Sequence, residues 1–174
     1  MHSMNRPLKL LHFSGLRLVV VGLLVILLSA CTAEPVLTLT PDKVSAQIGQ
    51  SLTITLQAEN VSGLTAAEAH LAFDPAVLEV VSIQHGGFLQ PDFVVQNVFD
   101  NTAGTIDYAV AQLNRPVAEG SGALLVIEFR AKAGGDASIR FRSTPAATEG
   151  ALLANAEGSP IQVSLGESNV SVAP

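Results

Sequence analysis

From Val36 to the C-terminus the sequence predicts an all-β fold, a sandwich or a barrel, and three observations carry that prediction. Apolar and polar residues alternate with period two, as they do when one face of a strand is buried and the other is wet. Clusters of Gly, Pro, Asn or Asp interrupt the alternation every eight to twelve residues, the spacing of strands in a sandwich. No long stretch keeps helical spacing. At 174 residues the chain is sized for one such domain with a small appendage, and is too short for two domains with separate cores.

The appendage comes first. Leu18 to Leu28 is eleven residues without a polar side chain, preceded by Arg6, Lys9 and Arg17. As a helix this run would cover about 17 Å, against the roughly 30 Å hydrocarbon core of a bilayer, so residues 1–30 are predicted to be a signal peptide and not a membrane span. It ends Leu28-Ser29-Ala30-Cys31, which resembles the lipobox of bacterial lipoproteins. The resemblance implies cleavage ahead of Cys31, a diacylglycerol on its sulfur, and a short tether over residues 31–35. Thr32 is not the Asp that signals retention, so the expected location is extracytoplasmic, membrane-anchored through the lipid, and at the cell surface.

Losing residues 1–30 removes three of nine basic residues and none of fifteen acidic ones, which takes the net charge from −6 to −9. That balance argues against nucleic acid or an anionic lipid surface as partner, since both need a cationic protein. Cys31 is the only cysteine, so no disulfide can form within the chain and the core must hold the fold unaided.

The first predicted strand is Val36 to Thr40. Ser51 to Ala58 is the clearest, with Leu52, Ile54, Leu56 and Ala58 on one face and Ser51, Thr53, Thr55 and Gln57 on the other. Further strands are predicted at 68–73, 79–84, 94–99, 105–112, 123–132, 137–142, 161–165 and 169–172, about ten in all. Asp100-Asn101-Thr102-Ala103-Gly104 and Gly134-Gly135-Asp136 read as hairpin turns, because they supply the positive-φ residues a reversal needs. Asp74-Pro75-Ala76-Val77-Leu78 reads as a single helical turn, with Asp as cap and Pro in the first turn.

Candidate chemistry is sparse. His70 and His85 are the only histidines after the leader, and without an acidic cluster at metal spacing each reads as a lone residue on a sheet surface. No Asp-x-Asp-x-Asp-Gly loop occurs, and Gly86-Gly87 and Gly120-Ser121-Gly122 lack the following helix and Lys of a phosphate loop. No nucleophile, acid/base pair or metal set stands out, so the sequence predicts no enzyme, no cofactor and no metal.

Several segments together resemble the cohesin domain: Asn60-Val61-Ser62-Gly63-Leu64, then Ala69 through Phe73-Asp74-Pro75-Ala76-Val77-Leu78 to Val81, then Gly120-Ser121-Gly122-Ala123-Leu124 to Phe129. The closing stretch from Asn155 through Ile161 to Val172 is also similar, so the resemblance covers about residues 36–173. It implies a nine-stranded jelly-roll β-sandwich over residues 36–174. It also implies a partner, a dockerin, which is a small helical module that holds its own calcium. Some carbohydrate-binding modules share this fold, which makes a polysaccharide the alternative ligand. Flat sugar sites need exposed Trp or Tyr for stacking; the chain has no Trp, and alternation turns its one Tyr, Tyr108, inward.

In the family the dockerin lies across one sheet, whose strands correspond here to residues 66–73, 94–99, 105–112 and 123–132. With Ala69, Leu71 and Phe73 inward, Glu68, His70 and Ala72 face out. With Ile106, Tyr108 and Val110 inward, Asp107, Ala109 and Ala111 face out, and with Leu125, Ile127 and Phe129 inward, Leu124, Val126 and Glu128 face out. The expected partner face is therefore small or apolar at its centre, with acidic residues among it, as a docking surface is. Glu68 resembles an acidic dockerin contact of the family, whereas Ala66 departs from the pattern in lacking a polar group. The function these features imply is a non-catalytic, surface-anchored module that captures a dockerin-bearing or similar protein.

Overall fold

One strand organises the architecture. The computed structural model describes residues 33–174, and the leader and Cys31 lie outside the described residues. In chain order the strands are β1 (Val36–Thr40), β2 (Lys43–Gln47), β3 (Ser51–Ala72), β4 (Leu78–His85), β5 (Phe93–Asp100) and β6 (Thr105–Ala111). They continue with β7 (Ala118–Ala131), β8 (Gly135–Phe141), β9 (Ala151–Asn155), β10 (Pro160–Ile161), β11 (Ser164–Gly166) and β12 (Ser168–Ala173). The first half of β3 pairs with β7 and β1, and its second half with β6 and β9, all antiparallel.

The change of partners is written locally. Asn60 and Gly63 adopt positive φ, 55° and 69°, which Asn and Gly tolerate better than other residues. Side chains of β7 and its approach hold the bend: the Asn60 N–H donates to Ser121 Oγ at 3.1 Å and the Gly63 N–H to Glu119 Oε1 at 3.0 Å. Register shifts on both sides of Val61 reset the parity, so the buried set passes from Leu52, Ile54, Leu56 and Ala58 to Ala67, Ala69 and Leu71.

Two layers follow. One runs β4, β7, first half of β3, β1, β11; the other runs β5, β6, second half of β3, then β9 and β10, with β8 pairing where β3 ends. The Thr40–Pro41 peptide, which is cis, separates β1 from β2; β1 pairs in parallel with β11, and β2 with β12. β12 also pairs with β8, so β2, β12 and β8 close the edge between the layers. Between the layers, the rings of Phe73 and Phe129 meet edge to face with centroids 5.3 Å apart. Tyr108 is fully buried, and its hydroxyl donates to the Leu124 carbonyl at 3.0 Å across the sandwich. Burial pushes its pKa up to about 12, so it stays a neutral donor.

The sequence expectations meet this structure unevenly. The fold is an all-β sandwich, but with twelve strand segments among the described residues where about nine were expected. The two predicted strands at 51–58 and 68–73 are one continuous element, while the one predicted at 161–165 is divided between β10 and β11. Neither β2 nor β9 was expected. The Asp100–Gly104 segment is a hairpin turn: Asp100 Oδ1 accepts from the Thr102 and Ala103 N–H groups, which lowers the carboxyl pKa. Gly104 must be Gly there, since its φ is +69° and a Cβ would strike the Phe73 carbonyl. Gly134-Gly135-Asp136 is not a hairpin turn, because β7 and β8 do not pair; it carries the chain from one layer to the other. At Asp74–Leu78 the chain makes one turn, closed by the Leu78 N–H on the Asp74 carbonyl at 2.9 Å.

Candidate functional site

The outer face of the β5–β6–β3–β9 layer is set by register. Along β3, Ala66, Glu68, His70 and Ala72 stand opposite Ala111, Ala109, Asp107 and Thr105 of β6. Beyond β6, the β5 residues Phe93, Gln96 and Val98 stand opposite Ala111, Ala109 and Asp107. On the other side of β3, Ala154 and Leu152 of β9 stand opposite Ala66 and Glu68. Since β3 and β6 alternate core and outer positions, these side chains share one surface. Its rim is apolar and open: Phe93 is 55% exposed, Val98 56% and Leu152 43%. Asp92 anchors the start of β5 by accepting the Leu113 and Asn114 N–H groups at 2.8 Å each; these bonds hold its carboxyl below the usual range.

The centre of the face is charged and internally paired. His70 Nδ1 lies 2.6 Å from Asp107 Oδ1, and His70 Nε2 lies 2.7 Å from Glu68 Oε1. Arg142, just past the end of β8, donates from Nη2 to the same Asp107 oxygen at 2.6 Å. Carboxylates only accept, so an imidazole bonded at both nitrogens carries two protons and is cationic. Burial alone would depress its pKa, but the hydrogen bonds and charges of Asp107 and then Glu68 outweigh burial and hold it above the ordinary value. The His70 backbone is clamped too, its N–H on the Gly150 carbonyl and its carbonyl on the Arg142 N–H, both at 2.8 Å. No group of His, Cys, Asp or Glu suited to hold a metal is found among the described residues. The cluster is a hydrogen-bonded ion network whose partly exposed carboxylates can meet a donor from outside.

Of the expected face residues, the structure brings together Glu68, His70, Ala72, Asp107, Ala109 and Ala111. Three others lie elsewhere. Strand β7 pairs with β4 and the first half of β3, so Val126 and Glu128 face out from the opposite layer, beside Thr55 and Gln84 and beside Thr53 and Ser82. Leu124 does not face out at all. It sits at a bulge where Leu125 pairs with Leu56 and Ala123 with Gln57, and the extra residue turns into the core at 1% exposure. His70 is not a lone surface histidine but 6% exposed and bonded on both sides. Ala109 points outward by register yet is nearly covered by its neighbours. Sequence reasoning missed β9 and Arg142 as contributors; the short apolar run Ala151-Leu152-Leu153-Ala154 was the only signal for β9.

A model of the cohesin domain matches residues 37–160. The chain belongs to the cohesin domain family. Cell surface glycoprotein 1 of Acetivibrio thermocellus is 29% identical over 139 residues; the match takes in 64% of this chain and 6% of that protein's length. Among solved structures, a type II cohesin domain from the cellulosome of Acetivibrio cellulolyticus superposes with a TM-score of 0.70 at 22% identity, covering 79% of this chain and 95% of that one. A type I cohesin–dockerin complex from Clostridium thermocellum gives a TM-score of 0.67 at 15% identity, covering 81% of this chain and 100% of the matched chain. At these identities the two structures share the fold. In this cohesin the charged cluster sits on the outer face whose edges expose Phe93, Val98 and Leu152.

Proposed function

We infer that this cohesin is a non-catalytic receptor that captures a dockerin-bearing protein on the outer face of the β5–β6–β3–β9 layer. The observation that carries the reading is the composition of that face. A floor of Ala66, Ala109, Ala111 and Ala154 lets a helix approach closely, Phe93, Val98 and Leu152 offer area to desolvate, and Glu68 and Asp107 supply orientation. Family membership and a related fold seen in a cohesin–dockerin complex support the same partner. Lipid at Cys31 would hold the receptor at the membrane: two or more acyl chains give stable attachment where one is marginal.

Calcium-loaded dockerin modules, passed over the immobilised 31–174 protein with and without a chelator, test the reading beside a polysaccharide retention gel. Calcium-dependent capture with no retardation on polysaccharide is expected. Retardation on polysaccharide with no dockerin bound would replace the protein partner with a sugar. Mass spectrometry of the processed N-terminus should find Cys31 acylated; an unmodified Cys31 would remove the anchor.

A further inference from the structure

We propose that His70 gates the docking face by sequestering Glu68: while the imidazole is protonated it occupies the Glu68 carboxylate, and when it loses a proton Glu68 is freed to take a cationic side chain of the partner. This rests on the docking reading above and adds the partner's chemistry, a Lys or Arg aimed at Glu68, and a dependence on pH.

The geometry gives the direction. A neutral imidazole has one N–H, so on deprotonation a ring lone pair must face one of two carboxylate oxygens that stand 2.6 and 2.7 Å away. Asp107 keeps a second cation, Arg142 Nη2 at 2.6 Å, and stays in place. Glu68 has no other side-chain hydrogen bond, and its side chain is 26% exposed, so Glu68 is the one that turns out. The cluster of Glu68, Asp107, His70 and Arg142 passes from formally neutral to one negative charge. No other charge replaces the lost proton. Arg140, across β3 from Ala72, and Glu149, next to Gly150, are the remaining charged residues near the ring; both are exposed and neither bonds to it. Thr105 and Val98, the next positions across β6 and β5, carry no charge.

Because the two carboxylates raise the His70 pKa, the change falls above pH 6.5, the ordinary histidine value. Binding that needs free Glu68 favours the neutral ring, so affinity should rise with pH. Each unit by which docking lowers the His70 pKa is tenfold in Kd across the titration.

Isothermal titration of calcium-loaded dockerin modules into the 31–174 protein at pH 6 and pH 9 tests this, with the His70 ring followed by NMR in the free protein. About tenfold tighter binding at pH 9 is expected, together with a His70 titration above pH 6.5. His70→Gln should flatten the profile, which separates this ring from His85. Should His70→Gln fail to fold, Glu68→Gln serves: it should weaken binding at pH 9 and leave little pH dependence. A dockerin that binds the wild type equally at both pH values, or tighter at pH 6, overturns the gate and leaves the docking face standing. A folded wild-type protein that binds no dockerin at any pH overturns the docking reading, and the gate with it.

Discussion

The two outer faces of the sandwich are built from the same kinds of strand and meet water differently. On the β4–β7–β3–β1 layer, Thr53, Thr55, Gln57, Ser82 and Gln84 present hydroxyls and amides beside Val81 and Val126, and Arg130 pairs loosely with Glu79 at 3.4 Å. On the β5–β6–β3–β9 layer, alanines replace the hydroxyl residues, apolar side chains stand open on β5 and β9, and the charges are locked to each other at 2.6 to 2.7 Å. The difference teaches what a solvated sheet face omits. Water needs no tight internal pairing of charges and no bare alanine floor, whereas a partner that excludes water rewards both. A mostly polar face is enough for a wall; the second face has the composition of one that a partner covers.

The largest effect should come from the core both faces share. Phe129→Ala removes one ring of the Phe73–Phe129 contact from a fully buried site and should cost about 3 to 5 kcal/mol by urea denaturation. A cost no greater than that of Thr53→Ala would mean the layers do not pack as described. The next prediction separates the faces. Ala111→Arg places a long cation on the alanine floor and should weaken dockerin capture by about 100-fold, roughly 2.7 kcal/mol, with little change in stability. Val126→Arg, on the opposite face, should leave capture unchanged in the same titration. Equal losses from both would erase the distinction between the layers.

Much of this contrast was legible in the residues and part of it was not. Period-two alternation gave the inward sets on 69–73, 106–110 and 125–129, because a pleated strand fixes which side each residue takes. It does not say which layer a strand joins. That is decided by pairing partners distant in sequence, and so Val126 and Glu128 were assigned to the wrong layer. A bulge breaks parity without a compositional mark, and Leu124 was misread for that reason. His70, Asp107 and Arg142 meet only through the registers of β3 with β6 and β8, so their network has no trace in spacing along the chain. The segment from Pro41 to Gly49 offered too few apolar residues to announce β2.

A smaller effect should follow the charges. A histidine whose pKa is raised on folding stabilises the fold in full below pH 6.5, and that contribution is lost as pH rises through the folded value. The urea midpoint should therefore fall on the alkaline side of pH 6.5, as the ring loses its second proton. His70→Gln should remove this dependence; a midpoint that stays flat in the wild type would mean the ring is neutral and not bridged. The smallest effect belongs to the opposite face, where Glu79→Gln breaks a largely exposed pair with Arg130 and should change stability by less than about 0.5 kcal/mol. A larger loss there would show that the polar face is also tightly organised.

The most direct measurement is backbone amide mapping by NMR, with a calcium-loaded dockerin titrated into the isotope-labelled 31–174 protein. Shifts should concentrate on 66–72, 105–111 and 93–98, with the Leu152 amide among them, while 53–55, 82–84 and 126–128 stay still. Shifts confined to 53–55, 82–84 and 126–128, or no shift with any dockerin, would contradict the assignment of the docking face.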